Sequence, residues 1–566
     1  MLAGLLAALA CGLMACAQAQ TAIPYPRIET GTHTAVINRI AVDRAERWVV
    51  TASDDKTARV WNLQTGELER ILRPPIGEEG EGWLYAVAIS PDGSRVAVGG
   101  FTGVRGSTDF PIYLFDRADS RLLQRSRGYA DRVIHLAFSA DGKRLAAAFK
   151  GGGGLRLLAA TALTEEVARD DDCRADSYGV DFDPADRLVA SCFDGQLRLY
   201  DAKGQRIARR QVEGGERPYG VAFSPDGTRI AVGFYDSTAV TVVSGRDLSL
   251  LYRADTGFAT KGSLESVAWS RDGERLHAGG RFDRNGQSPV VSWPAQGRGA
   301  AVLHDASPDT IMALAPLSGG RLAYGGGGPT WGVLGADGRR ERPLWPALLD
   351  HRDNQPGFRV ARDGLRVEFS FDTWKDGKRS RAPARFDLRT RRLETAVQPD
   401  AGLAPPRTDG LPVKNWNNHT APTFNEKRLA TLEPYERSRA LAVATDESGF
   451  VLGTDWSLRS FDAHGEQRWE RLVPGVAWAV NYSADGRFVL AALGDGTIRW
   501  YDAASGNERL ALFIHAQDQR WVLFTPEGFY QASPGGDALL GYQINRGPDR
   551  EGEFVDSAQL AGVFFR

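Results

Sequence analysis

Val87-Ala88-Ile89-Ser90-Pro91-Asp92-Gly93 is echoed by Leu136-Ala137-Phe138-Ser139-Ala140-Asp141-Gly142. The element returns as Val221-Ala222-Phe223-Ser224-Pro225-Asp226-Gly227, as Val267-Ala268-Trp269-Ser270-Arg271-Asp272-Gly273 and as Val480-Asn481-Tyr482-Ser483-Ala484-Asp485-Gly486. A looser copy ends at Asp363-Gly364, and Pro184-Ala185-Asp186 fills the double gap between Asp141 and Asp226. The period is about 40 to 47 residues, the spacing of a repeat architecture. Each copy alternates apolar residues with period two, turns at Asp-Gly, and alternates again. That is a hairpin with buried faces, because Asp-Gly supplies the positive φ that tight turns need.

Composition agrees with many short strands. The chain has 566 residues, 42% hydrophobic and 25% charged, with 64 glycines. That is enough apolar content for a sizeable core and argues against extensive disorder. Lys plus Arg is 69 against 71 Asp plus Glu, for a net charge of −2. A near-balanced chain does not present the broad basic surface of a nucleic-acid binder, and none is expected as a partner.

The first repeat is the most explicit. Gly31-Thr32-His33 opens it, and Thr51-Ala52-Ser53-Asp54-Asp55-Lys56-Thr57-Ala58-Arg59-Val60-Trp61 follows. This resembles a WD-repeat blade, a four-stranded antiparallel sheet of a β-propeller. The resemblance implies a hydrogen-bonded tetrad of His33, Thr51, Asp55 and Trp61. The physics is consistent, since a half-buried Asp and His must find partners and the indole N–H needs an acceptor. The same residue types imitate a catalytic triad, but a structural role is expected. Ser191 to Asp201, Val451 to Asp462 and Gly494 to Asp502 keep the frame but lose the tetrad.

The expected fold is all-β: tandem WD-repeat-type β-propellers, two rings of about seven four-stranded blades. The first propeller is placed at 31–345 and a partly degenerate second at 346–545, with 546–566 as a C-terminal tail. The proline-rich stretch 399–436 reads as a degenerate blade or an insertion. The second ring has fewer blades, or borrows Tyr25 to Thr30 to close, if that stretch is not a blade.

The N-terminus reads as an address. Leu2 to Ala10 is an apolar h-region, and Ala17-Gln18-Ala19 is a small-x-small cleavage site, giving a signal peptide at 1–19. Leu13-Met14-Ala15-Cys16 also resembles a bacterial lipobox, with a lipoprotein signal to residue 15 and lipidation of Cys16. The chain is therefore expected to be exported, either periplasmic or lipid-anchored in the cell envelope. Membrane contact is expected only through that lipid. Cys173 and Cys192 then remain in the fold, and the blade alignment brings them near each other. They form either a disulfide or two small buried thiols.

A second resemblance lies near the C-terminus. Trp416-Asn417-Asn418-His419, Pro474 to Val480, Arg520-Trp521-Val522-Leu523-Phe524-Thr525-Pro526-Glu527-Gly528-Phe529-Tyr530 and Gly541 to Gly547 resemble a bacterial family. In that family WD-repeat propellers precede a caspase-like peptidase domain. The sequence given ends about where that domain is expected, and no cysteine follows Cys192.

Other constellations are weak. The remaining histidines are scattered singly, so no metal site is expected. Gly151 to Gly154 and Gly325 to Gly328 lack the Lys-Ser/Thr of a phosphate loop. Asp170-Asp171-Asp172 is a solvated loop or a cation site. The basic stretch from Lys375 to Arg392 fits an exposed hairpin edge. Trp83, Tyr85, Tyr129, Tyr178 and Tyr219 fall just before first strands, as a binding rim or as inter-blade packing. Catalytic residues and cofactors are expected to be none. The functional expectation is a non-enzymatic protein-interaction scaffold binding a protein or peptide. The alternative is the sensor or regulatory module of a caspase-like peptidase system. A propeller enzyme ranks last, because it needs a convergent site.

Overall fold

The repeated Ser-x-Asp-Gly element closes the hairpin between the first and second strands of a blade. Ser90 Oγ donates to Asp92 Oδ1 at 2.5 Å, and the amide of Arg95 donates to Ser90 Oγ at 2.9 Å. Gly93 takes φ 73°, a left-handed conformation that a side chain would strain. The Ser–Asp bond recurs at Ser139–Asp141, Ser224–Asp226, Ser270–Asp272 and Ser483–Asp485.

The computed structural model describes residues 24–103, 109–341, 347–375, 378–429, 432–433 and 436–565. The signal-peptide and lipobox readings, with Cys16, lie outside the described residues.

Seven consecutive antiparallel sheets, blades one to seven, span residues 37–72, 83–125, 133–170, 180–211, 218–253, 266–307 and 311–334. The first six have four strands each in chain order, and the seventh has three. Inner strands are apolar on both faces, as in Leu145 to Phe149 and Val96 to Val98, because each blade is covered by a neighbour on either side. Outer strands such as Arg206–Gln211 are exposed and carry charge, which discourages pairing with other chains. The ring closes where Ile37 and Ile40 of blade one pack with Ala313, Ala323 and Trp331 of blade seven. A Cβ on Gly325 would stand 2.7 Å from Ile40 Cγ2, so the closure needs glycine there.

The arginine that ends each first turn ties its blade to the next. Arg47 donates to the Asp92 carbonyl at 2.7 Å, Arg95 to Gly142 at 3.1 Å, and Arg144 to Asp186 Oδ2 at 3.4 Å. Arg187 donates to Gly227 at 2.7 Å, Arg229 to Gln296, and Arg275 to Ala336 at 3.3 Å. Arg321 of blade seven returns to Glu46 of blade one at 3.4 Å. Every blade of the ring contributes one such latch.

The second half is less regular. Residues 359–404 form a five-stranded sheet, 413–428 three short strands, 438–472 a four-stranded sheet and 477–532 a six-stranded one. The fifth sheet joins Tyr25–Ile28 to Leu540–Ile544 and Glu553–Asp556. The propeller-type, all-β architecture is present throughout. The described residues of this half, however, make five sheets rather than seven, and only one has four strands. The physical reason is that prolines and turns shorten the strands of 399–436, while other chain goes into longer sheets. Residues 546–566 are not a tail, because Glu553–Asp556 pairs along Leu540–Ile544 and Phe564 packs on Tyr542.

The N-terminal strand also anchors the halves to each other. Glu29 accepts from Arg59 and Arg73, both at 2.9 Å. On the other side, Asn545 and Ile76 exchange two hydrogen bonds. Asp549 pairs with Arg127 at 3.0 Å, and Glu551 accepts from the Leu122 amide at 3.0 Å.

Candidate functional site: the cavity between the two halves

The tetrad is assembled in blade one. Trp61 Nε1 donates to Thr51 Oγ1 at 2.9 Å. Thr51 Oγ1 lies 2.6 Å from His33 Nε2, and His33 Nδ1 lies 2.7 Å from Asp55 Oδ2. One direction of donation satisfies the chain: indole to hydroxyl, hydroxyl to imidazole, imidazole to carboxylate. Thr57 adds a bond to Asp55 Oδ1 at 2.6 Å. Burial lowers the His33 pKa, which keeps the ring neutral. Burial alone would raise Asp55, but His33 and Arg59 hold it well below the carboxylate range. With His33 and Asp55 almost fully buried, the set ties strands together and does not present a nucleophile to solvent.

Cys173 and Cys192 form a disulfide, with Cα atoms 6.0 Å apart. Asp170, Asp171 and Asp172 are taken up by arginines: Arg206 and Arg209 reach Asp172 at 2.6 and 2.9 Å, and Arg156 reaches Asp171 at 2.8 Å. Among the described residues, no cluster of three or more His, Cys, Asp or Glu is arranged to hold a metal.

The five aromatics of the expected rim do not form an exposed rim. Trp83, Tyr129 and Tyr219 are 6%, 8% and 7% exposed. Tyr129 packs on Phe149 in the apolar cluster between blades two and three. Trp83, Tyr85, Tyr178 and Tyr219 line a cavity of about 1160 Å³ instead. Its ring-side wall is made by the segments that lead into the innermost strands and by the turns between second and third strands. The second half contributes the equivalent edges, with Arg437, Trp456 and Trp478. The two halves thus face each other with the same kind of edge.

The aromatic wall is continuous. Tyr178 stacks on Tyr219 at 4.6 Å between centroids and lies 4.7 Å from Phe193. Tyr219 and Tyr235 are 6.3 Å apart, and the Arg281 guanidinium sits 3.7 Å above the Tyr235 ring. Arg281 is neutralised by Glu265 at 3.0 Å. Burial pushes the Asp54 carboxyl up to about 7, against the pull of an Asn38 hydrogen bond at 2.7 Å.

Sequence reasoning missed Arg39. It lies on the innermost strand of blade one, yet its Nη2 reaches the Tyr178 carbonyl of the blade-four side at 3.2 Å. Its side chain therefore crosses the centre of the ring. An Arg between buried Ile37 and Ile40 in an inner strand was the available signal.

Comparison with known proteins follows from this geometry. The WD domain, G-beta repeat profile matches residues 26–62, 174–201 and 456–502. The first match holds all four tetrad residues. The repeats are of the WD type. Two of the three WD-type matches fall in the ring or its lead-in and the third spans the sheets of 438–472 and 477–532, so both halves carry them. The chain is similar to the guanine nucleotide-binding protein subunit beta of Nicotiana tabacum, 25% identical over 260 residues, covering 44% of this chain and 67% of that one. The subunit beta of Arabidopsis thaliana is 26% identical over 248 residues, covering 41% and 62%. An intraflagellar transport protein 122 homolog of Danio rerio is 24% identical over 190 residues, covering 33% of this chain. The chain spans only 14% of that protein's length.

Proposed function

We propose that this chain is a non-catalytic scaffold that holds protein or peptide partners on WD-type propeller surfaces. The observation that carries this reading is a closed seven-bladed ring with some outer edges covered and others free. The C-terminal segment covers the outer strands of blades one and two through Gly552, Asp549 and Glu551. Blades four to six leave Ile207, Leu250, Leu251 and Val302 exposed on their outer strands. Apolar side chains on uncovered strand edges suit a partner that adds contacts there. The likeness to proteins named as subunits of an assembly supports the same reading.

The resemblance of Arg520 to Tyr530 and its neighbours to propellers that precede caspase-like peptidases favours a second reading, a bacterial regulatory module with such a peptidase as its partner. An exported location, in the periplasm or on a lipid anchor at Cys16, is supported by the apolar Leu2 to Ala19 stretch and by the paired cysteines.

The test is affinity purification of the full chain from its own cells, compared with a Leu250→Glu/Leu251→Glu variant. A stoichiometric partner that is lost in the variant supports the scaffold. A caspase-like peptidase as that partner selects the second reading. If no protein co-purifies at stoichiometric level with the folded wild type, the scaffold reading is wrong.

A further inference from the structure

Arg39 is 8% exposed, and its Nε has no hydrogen-bond partner. Its one hydrogen bond is to a carbonyl, and among the described residues no carboxylate stands within ion-pair distance of it. A buried guanidinium without an anion is costly, because charge is removed from water with nothing to replace the solvent. The acids nearest the cavity floor are already engaged. Glu265 is paired with Arg281 and accepts from Ser263, and Asp54 accepts from Asn38.

Donors collect around the same point. The Tyr219 hydroxyl has no hydrogen bond among the described residues, and its ring lies on the same wall. Across the cavity, the Arg437 side chain makes no hydrogen bond or ion pair among the described residues. Burial, with Arg281 and Arg439 nearby, holds its pKa below the usual guanidinium value. Carboxylates also line the cavity, but Asp176, Asp350, Asp455 and Glu470 are held by partners of their own.

The cavity has an entrance. Among the described residues, no hydrogen bond or ion pair joins residues 130–175 to the second half. On that side the lining residues Gly151 and Arg174 are exposed and Lys150 is half-buried. Lys150 and Arg174 place positive charge at the opening, where it raises the local concentration of an anion and speeds its entry.

We propose that the cavity is a binding site for a small organic anion, whose carboxylate or phosphate group meets Arg39 at the centre of the ring while its apolar body lies along the Tyr178–Tyr219–Tyr235 wall. Guanidinium recognises either oxyanion through paired N–H donors. A cavity of this size, with an aromatic wall beside charged groups, is of the kind that takes a small molecule. The proposal does not depend on the scaffold reading, since a ligand can occupy the cavity whatever binds the outer edges.

The test uses the full chain and isothermal titration calorimetry at fixed ionic strength with four probes: benzoate, phenyl phosphate, inorganic phosphate and neutral benzamide. Saturable one-to-one binding of benzoate or phenyl phosphate is expected, at least about tenfold tighter than benzamide. Whichever of the two binds tighter identifies the oxyanion, and inorganic phosphate should bind more weakly than phenyl phosphate. Arg39→Gln should weaken binding about tenfold or more, and Arg39→Lys, which keeps the charge, should weaken it less. Arg206→Gln, on the outer strand of blade four, should leave it unchanged. If Arg39→Gln fails to fold, Lys150→Glu/Arg174→Glu provides the second arm, with weaker binding of the anionic probes and unchanged binding of benzamide. Equal binding of benzamide and benzoate, or no saturable binding of any probe, overturns the proposal.

Discussion

Gln543 donates from Nε2 to the carbonyl of Pro74 at 2.8 Å, across 469 residues of sequence. Gln543 is fully buried, and its backbone pairs with Tyr25. One residue therefore joins the N-terminal strand, the end of blade one and the last sheet of the second half. Removing residues 540–566 should take away the strand that Tyr25–Ile28 pairs with. Trypsin should then cut after Arg27 at least about tenfold faster than in the full chain, because cleavage needs local opening. Gln543→Ala should have the same direction of effect and cost about 1–2 kcal/mol, since it leaves a buried carbonyl unpaired.

His33→Ala removes the centre of the tetrad and strands both Asp55 and Thr51 in a buried place. The expected loss is about 2–4 kcal/mol, mostly from the carboxylate left with fewer partners. Hydrogen exchange should show it first at Val49 to Ser53, which carry the second strand of blade one. Unchanged protection there, in a folded variant, would mean the tetrad adds nothing to blade one.

The disulfide links residues 19 apart in sequence. Closing a loop of that length restricts the unfolded chain by an amount worth about 3 kcal/mol. Cys173→Ser/Cys192→Ser should lower the denaturant midpoint of the ring. Dithiothreitol should lower the wild type to the same midpoint and leave the variant where it is.

His277 gives a pH signature. It is buried, its Nδ1 is 2.7 Å from Ser292 Oγ, and burial pushes its pKa down to about 4. The unfolded chain takes up this proton near pH 6.5 while the folded chain does not. Stability is therefore unaffected above about pH 7 and falls as pH drops toward 4, by about 1.4 kcal/mol per unit and about 3 kcal/mol in all. Asp54 and Asp181, with pKa values pushed up by burial to about 7, have the opposite slope, losing stability as pH rises from about 4 to 7. His277→Gln should remove its own contribution from the profile whatever the background slope. On going from pH 7.5 to 4.5, the denaturant midpoint of the variant should fall less, or rise more, than that of the wild type.

The parts of this fold that are local in sequence were legible there. The Ser-x-Asp-Gly turns, the His33 to Trp61 blade and the seven-blade span all rest on residues within one repeat. What the sequence hid depends on pairing between distant stretches. Arg39 sits in a short alternating strand, and nothing near it in the chain says that it points at the ring centre. Trp83, Tyr85, Tyr178 and Tyr219 were recognisable as a set by their position in the repeat. Only the packing of the second half decides that they line an enclosed space. The strands of 413–428 are two residues each, too short for a period to register. Six of the seven latch arginines stood in plain view as Gly-x-Arg or Asp-Arg after the turn, Arg47 following Glu46 instead, but their role appears only once the next blade is in place.

Those latches all lean the same way round the circle, from each blade to the one that follows it, and the last returns to the first. A hoop built this way has no free end at which to begin unwinding. Opening any one seam must stretch the others, so the load of a pulling partner is shared by the whole circumference. An eighth blade, or a missing one, would leave one arginine reaching for a carbonyl at the wrong angle. Blade number is thereby fixed by direction as well as by the fit of apolar side chains.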